Sequence, residues 1–485
     1  MTTINKEQLK AWIEELESDQ DSFEALPDLT ETGNGYLLAQ QTMGQIIYVP
    51  EISNWYYWNG TRWQEDTDGY VVRLYLKTVI PELTNILRDT DDKESKNVMS
   101  WIRRSKQMST LKNSLTAASH VEGMTKSLQS FDTKGHYFGV KNGVLDLRQN
   151  SFRLIQEDSA FLMTKSANVD YVPEADCPEW KAFIQKITKG DSELAGFLKR
   201  IAGQAMLGRL GKDKLPIFYG SGSNGKSTFV DVLNDLFGEY ASATSSSVVM
   251  SDRSSTEYYL APLKGLRLLL LNETKKGQKM AEEIVKMMVD SGEITARYPK
   301  GRVFSFQPLF TPILSTNHKP RISGADFGIW RRIYLVPFTY RFKDEEKIAG
   351  FREKVLRPEM PGILNWCIEG CMAYQKRGLD APESVMFATD EYRRQQDKIG
   401  SFISERYREQ TDGRIRLKQV HTQFSKWCEE NKLPAQGIIE FRNDLVDRGY
   451  EIRVSTGSVA WLYGLADKQK GESDKVVLEL LQACE

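Results

Sequence analysis

Leu215-Pro-Ile-Phe-Tyr-Gly-Ser-Gly-Ser-Asn-Gly-Lys-Ser-Thr228 is the stretch that decides the fold. Gly220, Gly225, Lys226 and Ser227 fit G-x-x-x-x-G-K-[ST], the pattern of a phosphate-binding loop. The apolar run Leu215 to Tyr219 reads as a buried strand, and Phe229, Val230, Leu233, Leu236 and Phe237 then recur at helical spacing. Strand, glycine loop and helix is the order this chemistry needs. Glycines let backbone N–H groups approach phosphate oxygens, and the helix N-terminus adds partial positive charge. Gly220, Ser221, Gly222, Ser223, Asn224, Gly225, Lys226, Ser227 and Thr228 are therefore the candidate nucleotide-binding residues. Lys226 would reach the terminal phosphates, and Ser227 would place its hydroxyl on a metal. The expected ligands are ATP and Mg2+.

Composition narrows the surroundings of this loop. With 485 residues there is room for roughly three domains. Net charge is −1, so any nucleic-acid signal must be local. No apolar run approaches the roughly 18 residues of a membrane span, and the N-terminus does not read as a signal peptide. Cys177, Cys367, Cys371, Cys428 and Cys484 form no C-x-x-C pair, which argues for a reduced, cytosolic protein without a zinc ribbon.

The hundred residues after the loop supply partners in a sensible order. Arg267-Leu-Leu-Leu-Leu-Asn272-Glu273 is an apolar run ending in an acid, the Walker B pattern. Asn272 stands where the first acid is usual, leaving Glu273 as catalytic base and metal-side carboxylate. Pro312-Ile-Leu-Ser-Thr-Asn317 is a second apolar strand, ending in an amide that could hold water against the γ-phosphate. Arg331 and Arg332 directly precede a third strand, Ile333 to Val336. Either could act as an arginine finger on a neighbouring subunit's nucleotide. From Ile294 to Phe342 the chain carries eight Lys or Arg and one acid, Asp326. Within it, Ile294 to Phe306 alternates around Pro299-Lys300-Gly301. This reads as a hairpin whose basic residues Arg297, Lys300 and Arg302 could hold a nucleic-acid backbone.

Elsewhere, residues 4–17 read as an amphipathic helix, and Asn54 to Trp63 as a hairpin turning at Asn59-Gly60 in type I′ geometry. Residues 70–130 read as mainly helical, Lys141 to Leu147 as a turn and strand, and 178–210 as a helical lead-in. Beyond Ile399, helical patterns at Phe402–Arg408, Leu417–Glu430 and Ile438–Arg448 precede a hairpin from Tyr450 to Tyr463, which describes a winged helix-turn-helix. Between Ser401 and Gly464, ten basic residues face nine acidic ones, so this is no strongly basic module. Near the C-terminus, Val476–Leu481 reads as a short helix.

The order of motifs resembles the superfamily 3 helicases of the phage, plasmid and poxvirus helicase–primase type. It rests on Trp58-Asn-Gly-Thr-Arg-Trp63, Asn142-Gly-Val-Leu-Asp146, Asp170 to Pro178, Gly-Ser-Asn-Gly-Lys-Ser, Asn-Glu-Thr, Ser-Thr-Asn-His-Lys-Pro320 and Gly-Ile-Trp-Arg-Arg. The resemblance implies an α/β, AAA+-like P-loop ATPase core, a hexameric ring around DNA and 3′→5′ unwinding of single-stranded and forked DNA. It implies Asn317 as sensor, Arg332 before Arg331 as finger, Lys286 as a second charge sensor and Lys300 as the pore-hairpin lysine. The corresponding division is 1–45 lead, 46–177 helicase-associated N-terminal domain, 178–395 ATPase with helical cover, 396–464 winged helix and 465–485 tail. Primer synthesis is not expected, since about fifty residues precede the helicase-associated region and Asp89-Thr-Asp91 reads as a solvated loop. A separate primase or loader and the cytoplasm of a bacterial host complete the expectation. The rivals are an origin-binding initiator that melts DNA without processive unwinding, and a small-molecule kinase.

Overall fold

The computed structural model describes residues 28–148, 153–155, 159–208, 214–246, 260–272, 277–290, 292–297, 303–322, 327–455 and 459–468. The helices expected at 4–17 and Val476–Leu481, and site residues Glu273, Lys300 and Arg302, lie outside them.

The N-terminal region runs α1 (Glu31–Thr42), β1 (Ile46–Val49), β2 (Asn54–Trp58), β3 (Trp63–Glu65), α2 (Tyr70–Asp89), α3 (Ser95–Ser105) and α4 (Met108–Ala118). The sequence pattern marks neither α1 nor β1. Helix α1 carries only a short apolar stripe, because Gly33, Asn34, Gly35 and Thr42 share its buried face with Leu38 and Ala39. A Cβ on Gly35 would lie 2.7 Å from that of Ala117, so the glycine lets α1 and α4 touch. Buried Asn34 donates to Tyr75 Oη and Ser105 Oγ, both at 2.9 Å, and accepts from Trp101 Nε1 at 3.1 Å. The aromatic hairpin forms, with Trp58 opposite Trp63, but its loop has four residues rather than two. Asn59 closes it by accepting from Thr61 N and Arg62 N, so its side chain does what a type I′ backbone would have done. Asp91 accepts from the amides of Lys93 and Glu94, and so caps the turn into α3.

A second antiparallel sheet follows, β4 (Tyr137–Val140), β5 (Gly143–Asp146) and β6 (Arg153–Ile155), and then α5 (Pro178–Ile187) and α6 (Ser192–Leu207). The central sheet comprises β7 (Leu215–Tyr219), β8 (Ala241–Ser245), β9 (Leu268–Asn272), β12 (Thr311–Thr316) and β13 (Ile333–Pro337). Its order is β13-β7-β12-β9-β8, and every pairing is parallel. Alternate residues feed two cores. Phe218, Leu268, Leu270, Ile313 and Val336 pack under α5, α6, α7 (Lys226–Phe237) and α10 (Met360–Arg377). Ile217, Leu269, Leu271, Leu314 and Leu335 face α8 (Glu282–Val289) and the hairpin β10 (Ile294–Arg297)–β11 (Val303–Phe306). Burial on both faces explains why these strands read as unbroken apolar runs. The four-residue α9 (Phe327–Trp330) leads into β13, and α11 (Glu383–Gln396) lays Thr389 Oγ1 against Leu335 N at 2.9 Å. This mixed α/β architecture agrees with the P-loop core expected. Four cysteines are buried and unpaired, and burial pushes the Cys177 and Cys371 thiols up to about 12.

The last described region has its own core around Phe402, Phe424, Trp427, Phe441 and Leu462. It contains α12 (Lys398–Arg406), β14 (Tyr407–Arg416), α13 (Leu417–Glu430), α14 (Ile438–Asp447), β15 (Ile452–Ser455) and β16 (Val459–Asp467). The second and third helices and the hairpin lie where expected, but the first helix ends at Arg406, and Tyr407 and Arg408 belong instead to a third strand, β14, where pairing with β16 overrides their helical spacing. The sheet is ordered β14-β16-β15.

Candidate nucleotide-binding site

All five strands of the central sheet run the same way, so the ends of β7, β12 and β9 deliver Gly220, Asn317 and Asn272 to one edge. Between β7 and α7 the backbone passes through left-handed geometry at Gly222 (φ 103°), Ser223 (φ 49°) and Gly225 (φ 83°). Gly220 has no room for a side chain, since a Cβ would fall 2.0 Å from Asn224 Nδ2 and 2.6 Å from Phe338 O. At Gly225 a Cβ would strike Ile187 Cγ2 at 2.5 Å. The loop is thus wound tightly over the start of α7, where first-turn amides have no intrahelical acceptor.

Lys226 begins that helix and is only 4% exposed. Its Nζ donates to Gly220 O and to Asn317 Oδ1, each at 2.7 Å. Burial holds its pKa down to about 8, because both acceptors are neutral and among the described residues no anion compensates. The structure therefore brings together the P-loop lysine and the amide 91 residues away. Ser227 is exposed in the first turn, and Asn272 is exposed at the neighbouring strand end.

A cavity of about 370 Å³ adjoins the loop, lined by Phe183, Lys186, Ser223, Gly225, Thr228 and Phe342 among others. Phe183 and Phe342 lie nearly parallel, 16° apart with centroids at 6.3 Å. Phe342 N donates to Ser223 O at 2.8 Å and ties this wall to the loop. At the rim, Lys186 Nζ sits 2.8 Å from Glu346 Oε1, which also accepts from Tyr340 Oη at 2.7 Å. Those two partners and the amide of Lys343 hold the Glu346 carboxyl down to about 2. Ser223, Gly225 and Thr228 were expected from the loop pattern, whereas Phe183, Lys186, Tyr340, Phe342 and Glu346 were not visible as a site, since the first two lie far in the chain from the other three.

The two arginines lie at the other end of the sheet. Arg332 O accepts from Leu215 N at 2.7 Å, beside the start of β7. The five residues of β7 separate it from the P-loop, about 16 Å at strand rise. Arg332 grips Asp290, Nε to Oδ1 at 2.9 Å and Nη2 to Oδ2 at 2.8 Å, with its side chain 11% exposed. Arg331 is exposed. Lys286 is half-buried on α8, one turn before Asp290, and so belongs to the arginine end. Arg297 holds the last paired position of β10, opposite Val303.

The residues present suit a nucleoside triphosphate with magnesium. Among the described residues the buried cation has no charged partner, Gly220 and Gly225 would each reject a Cβ, and a flat-walled cavity lies alongside. Among the described residues no group of three or more His, Cys, Asp or Glu is placed to hold a metal by itself. A magnesium ion here would lean on phosphate oxygens, water and the Ser227 hydroxyl.

A parallel α/β sheet with such a loop at its edge defines a protein with a P-loop-like core. Residues 35–189 match the family model described as D5 N terminal like, and residues 218–332 match a family of unknown function. A protein of Acanthamoeba polyphaga mimivirus, provisionally named a helicase, is 24% identical over 416 residues, 78% of this chain and 43% of that protein. An African swine fever virus protein (strain Badajoz 1971 Vero-adapted), provisionally named a primase, is 24% identical over 63% of this chain and 34% of its own length. The chain thus spans less than half the length of these relatives. The apo structure of the NrS-1 C terminal region (305-718) superposes with a TM-score of 0.54 over 89% of this chain and 99% of that one, at 10% identity, which shows a shared fold. In sequence the chain is thus similar to viral proteins provisionally named for helicase and primase, and over residues 35–189 to the D5 N terminal like family.

Proposed function

We propose that the chain is an ATP-driven motor for replicative DNA unwinding, acting as a homo-hexameric ring that moves 3′→5′ on single-stranded DNA. Viral relatives named for helicase and primase support a replication role. The observation that carries the motor reading is the contact of Lys226 with Asn317, with the arginines at the opposite end of the sheet. One chain then holds half of a nucleotide site at each end, and a ring joins the halves.

In this reading Lys226 turns from Gly220 O and Asn317 to the β- and γ-phosphates, relieving its uncompensated burial. Release from Lys226 frees the Asn317 amide to orient the attacking water. Glu273, the residue after Asn272, takes that water's proton as its oxygen bonds to phosphorus, and the β–γ bridging oxygen leaves on ADP. Magnesium, when bound, neutralises charge on the phosphate oxygens. The base stacks in the cavity walled by Phe183 and Phe342. Because Arg332 is engaged by Asp290, the exposed Arg331 takes the finger role and Arg332 positions it, a reversal of the order expected from the sequence. Arg297, Lys300 and Arg302 grip the DNA backbone at the hairpin.

The test is ATP-driven displacement of a labelled strand from forks with only a 3′ or only a 5′ tail. Displacement from the 3′ tail alone is expected; displacement from the 5′ tail would overturn the polarity. The α12–β16 region, in the order of a winged helix, favours the initiator as second reading. Hydrolysis without displacement, together with selective binding of one duplex sequence, would establish it.

A further inference from the structure

The outer face of the β14-β16-β15 sheet carries chemistry that the motor reading does not use. On β16, Trp461 and Tyr463 point away from the core that Leu462 enters. Their cross-strand neighbours are arginines. Trp461 stands opposite Arg416 on β14 and Arg453 on β15, and Tyr463 opposite Arg414. The guanidinium groups of Arg414 and Arg416 lie 5.2 and 5.5 Å from the centre of the Trp461 ring, and that of Arg453 lies 5.0 Å from Tyr463. All three arginines are exposed, and both rings are half-buried beneath them.

The region as a whole is nearly neutral, so this face concentrates its positive charge. Several carboxylates are spent elsewhere: Glu405 accepts from Trp427 Nε1, Glu430 pairs with Arg406, and Asp444 accepts from Gln436. Glu451 joins the sheet face through Arg453 at 2.6 Å. Helix α14 is the contrasting surface. It carries Glu440, Asp444 and Asp447 against Arg442, and leaves Ile439 76% exposed. Phosphate would be repelled there and attracted to the sheet.

We propose that the Trp461–Tyr463 face, with Arg414, Arg416 and Arg453, binds single-stranded nucleic acid. Unpaired bases have free π-faces that stack on aromatic rings and on guanidinium planes, while the same arginines meet the phosphates between them. In a duplex those faces are already stacked, so the surface discriminates for single strands. The proposal stands independently of the ATPase reading.

The experiment uses the full chain without added nucleotide and a polythymidine oligonucleotide carrying 5-iodouridine. Photocrosslinking followed by tryptic mass mapping is expected to mark the peptide Val454–Lys468. Trp461→Ala should weaken oligonucleotide binding roughly 5- to 150-fold, the loss of one stacked base. Arg414→Gln with Arg416→Gln keeps both rings and should flatten the dependence of log affinity on log salt by about 1.4, two phosphate contacts on a single strand. That double variant keeps the test decisive should Trp461→Ala misfold. Crosslinks only in other peptides, or an unchanged salt slope in the double variant, would overturn the proposal and assign the face to an acidic protein or to solvent. Equal binding of the matching duplex, equally weakened in the variants, would overturn the single-strand assignment.

Discussion

Lys226 concentrates the physics of the candidate site in one side chain. Burial alone depresses its pKa to about 8, so between there and the ordinary lysine range the unfolded chain binds more protons than the folded one. The free protein should therefore gain stability as pH rises through that window. Nucleotide binding has the opposite sign, because only the charged amine attracts phosphate. Affinity for a fluorescent ATP analogue should fall as pH rises past about 8, by up to about tenfold per pH unit. Titrations on either side of that value check this, with Lys226→Met expected to bind weakly and to lose the pH dependence. An equal slope in the variant would assign the titration to another group. That Lys226 opens a helix directly after a glycine loop was legible from spacing alone. That it rests on Asn317 was not, because the contact depends on β12 lying beside β7.

At the scale of elements, the sequence was most readable where burial is complete. Leu268 to Leu271 are at most 1% exposed, and a strand covered on both faces can only be apolar. It was least readable where packing is done by polar or small residues. Helix α1 is fixed by Asn34 and Gly35, and β14 continues past Gln410-Thr-Asp-Gly413, a stretch of turn composition that falls in a register shift between Glu409, opposite Leu465, and Arg414, opposite Tyr463. The hairpin β10–β11 was legible from its alternation, and its register brings Arg297 to the base of the basic tip. Arg297→Ala with Lys300→Ala should flatten the salt dependence of single-stranded DNA binding by about 1.4, one phosphate contact each. Binding titrations over a range of salt concentrations check it, and an unchanged slope would remove the hairpin from the DNA path.

For the whole molecule, the parallel sheet sets a length that decides between two arrangements. An arginine about 16 Å from its own P-loop cannot reach that loop's γ-phosphate, so catalysis within one chain is excluded by geometry if Arg331 takes part. A head-to-tail ring resolves this, since each subunit then presents its arginine end to its neighbour's nucleotide end. The most direct test mixes two inactive variants, Lys226→Ala and Arg331→Ala, and measures ATP hydrolysis after subunits exchange. The ring account predicts restored turnover, about one quarter of the unmutated rate if interfaces act independently, because that share pairs an intact P-loop with an intact arginine. Turnover no higher than that of the two variants kept apart would contradict a site shared between subunits.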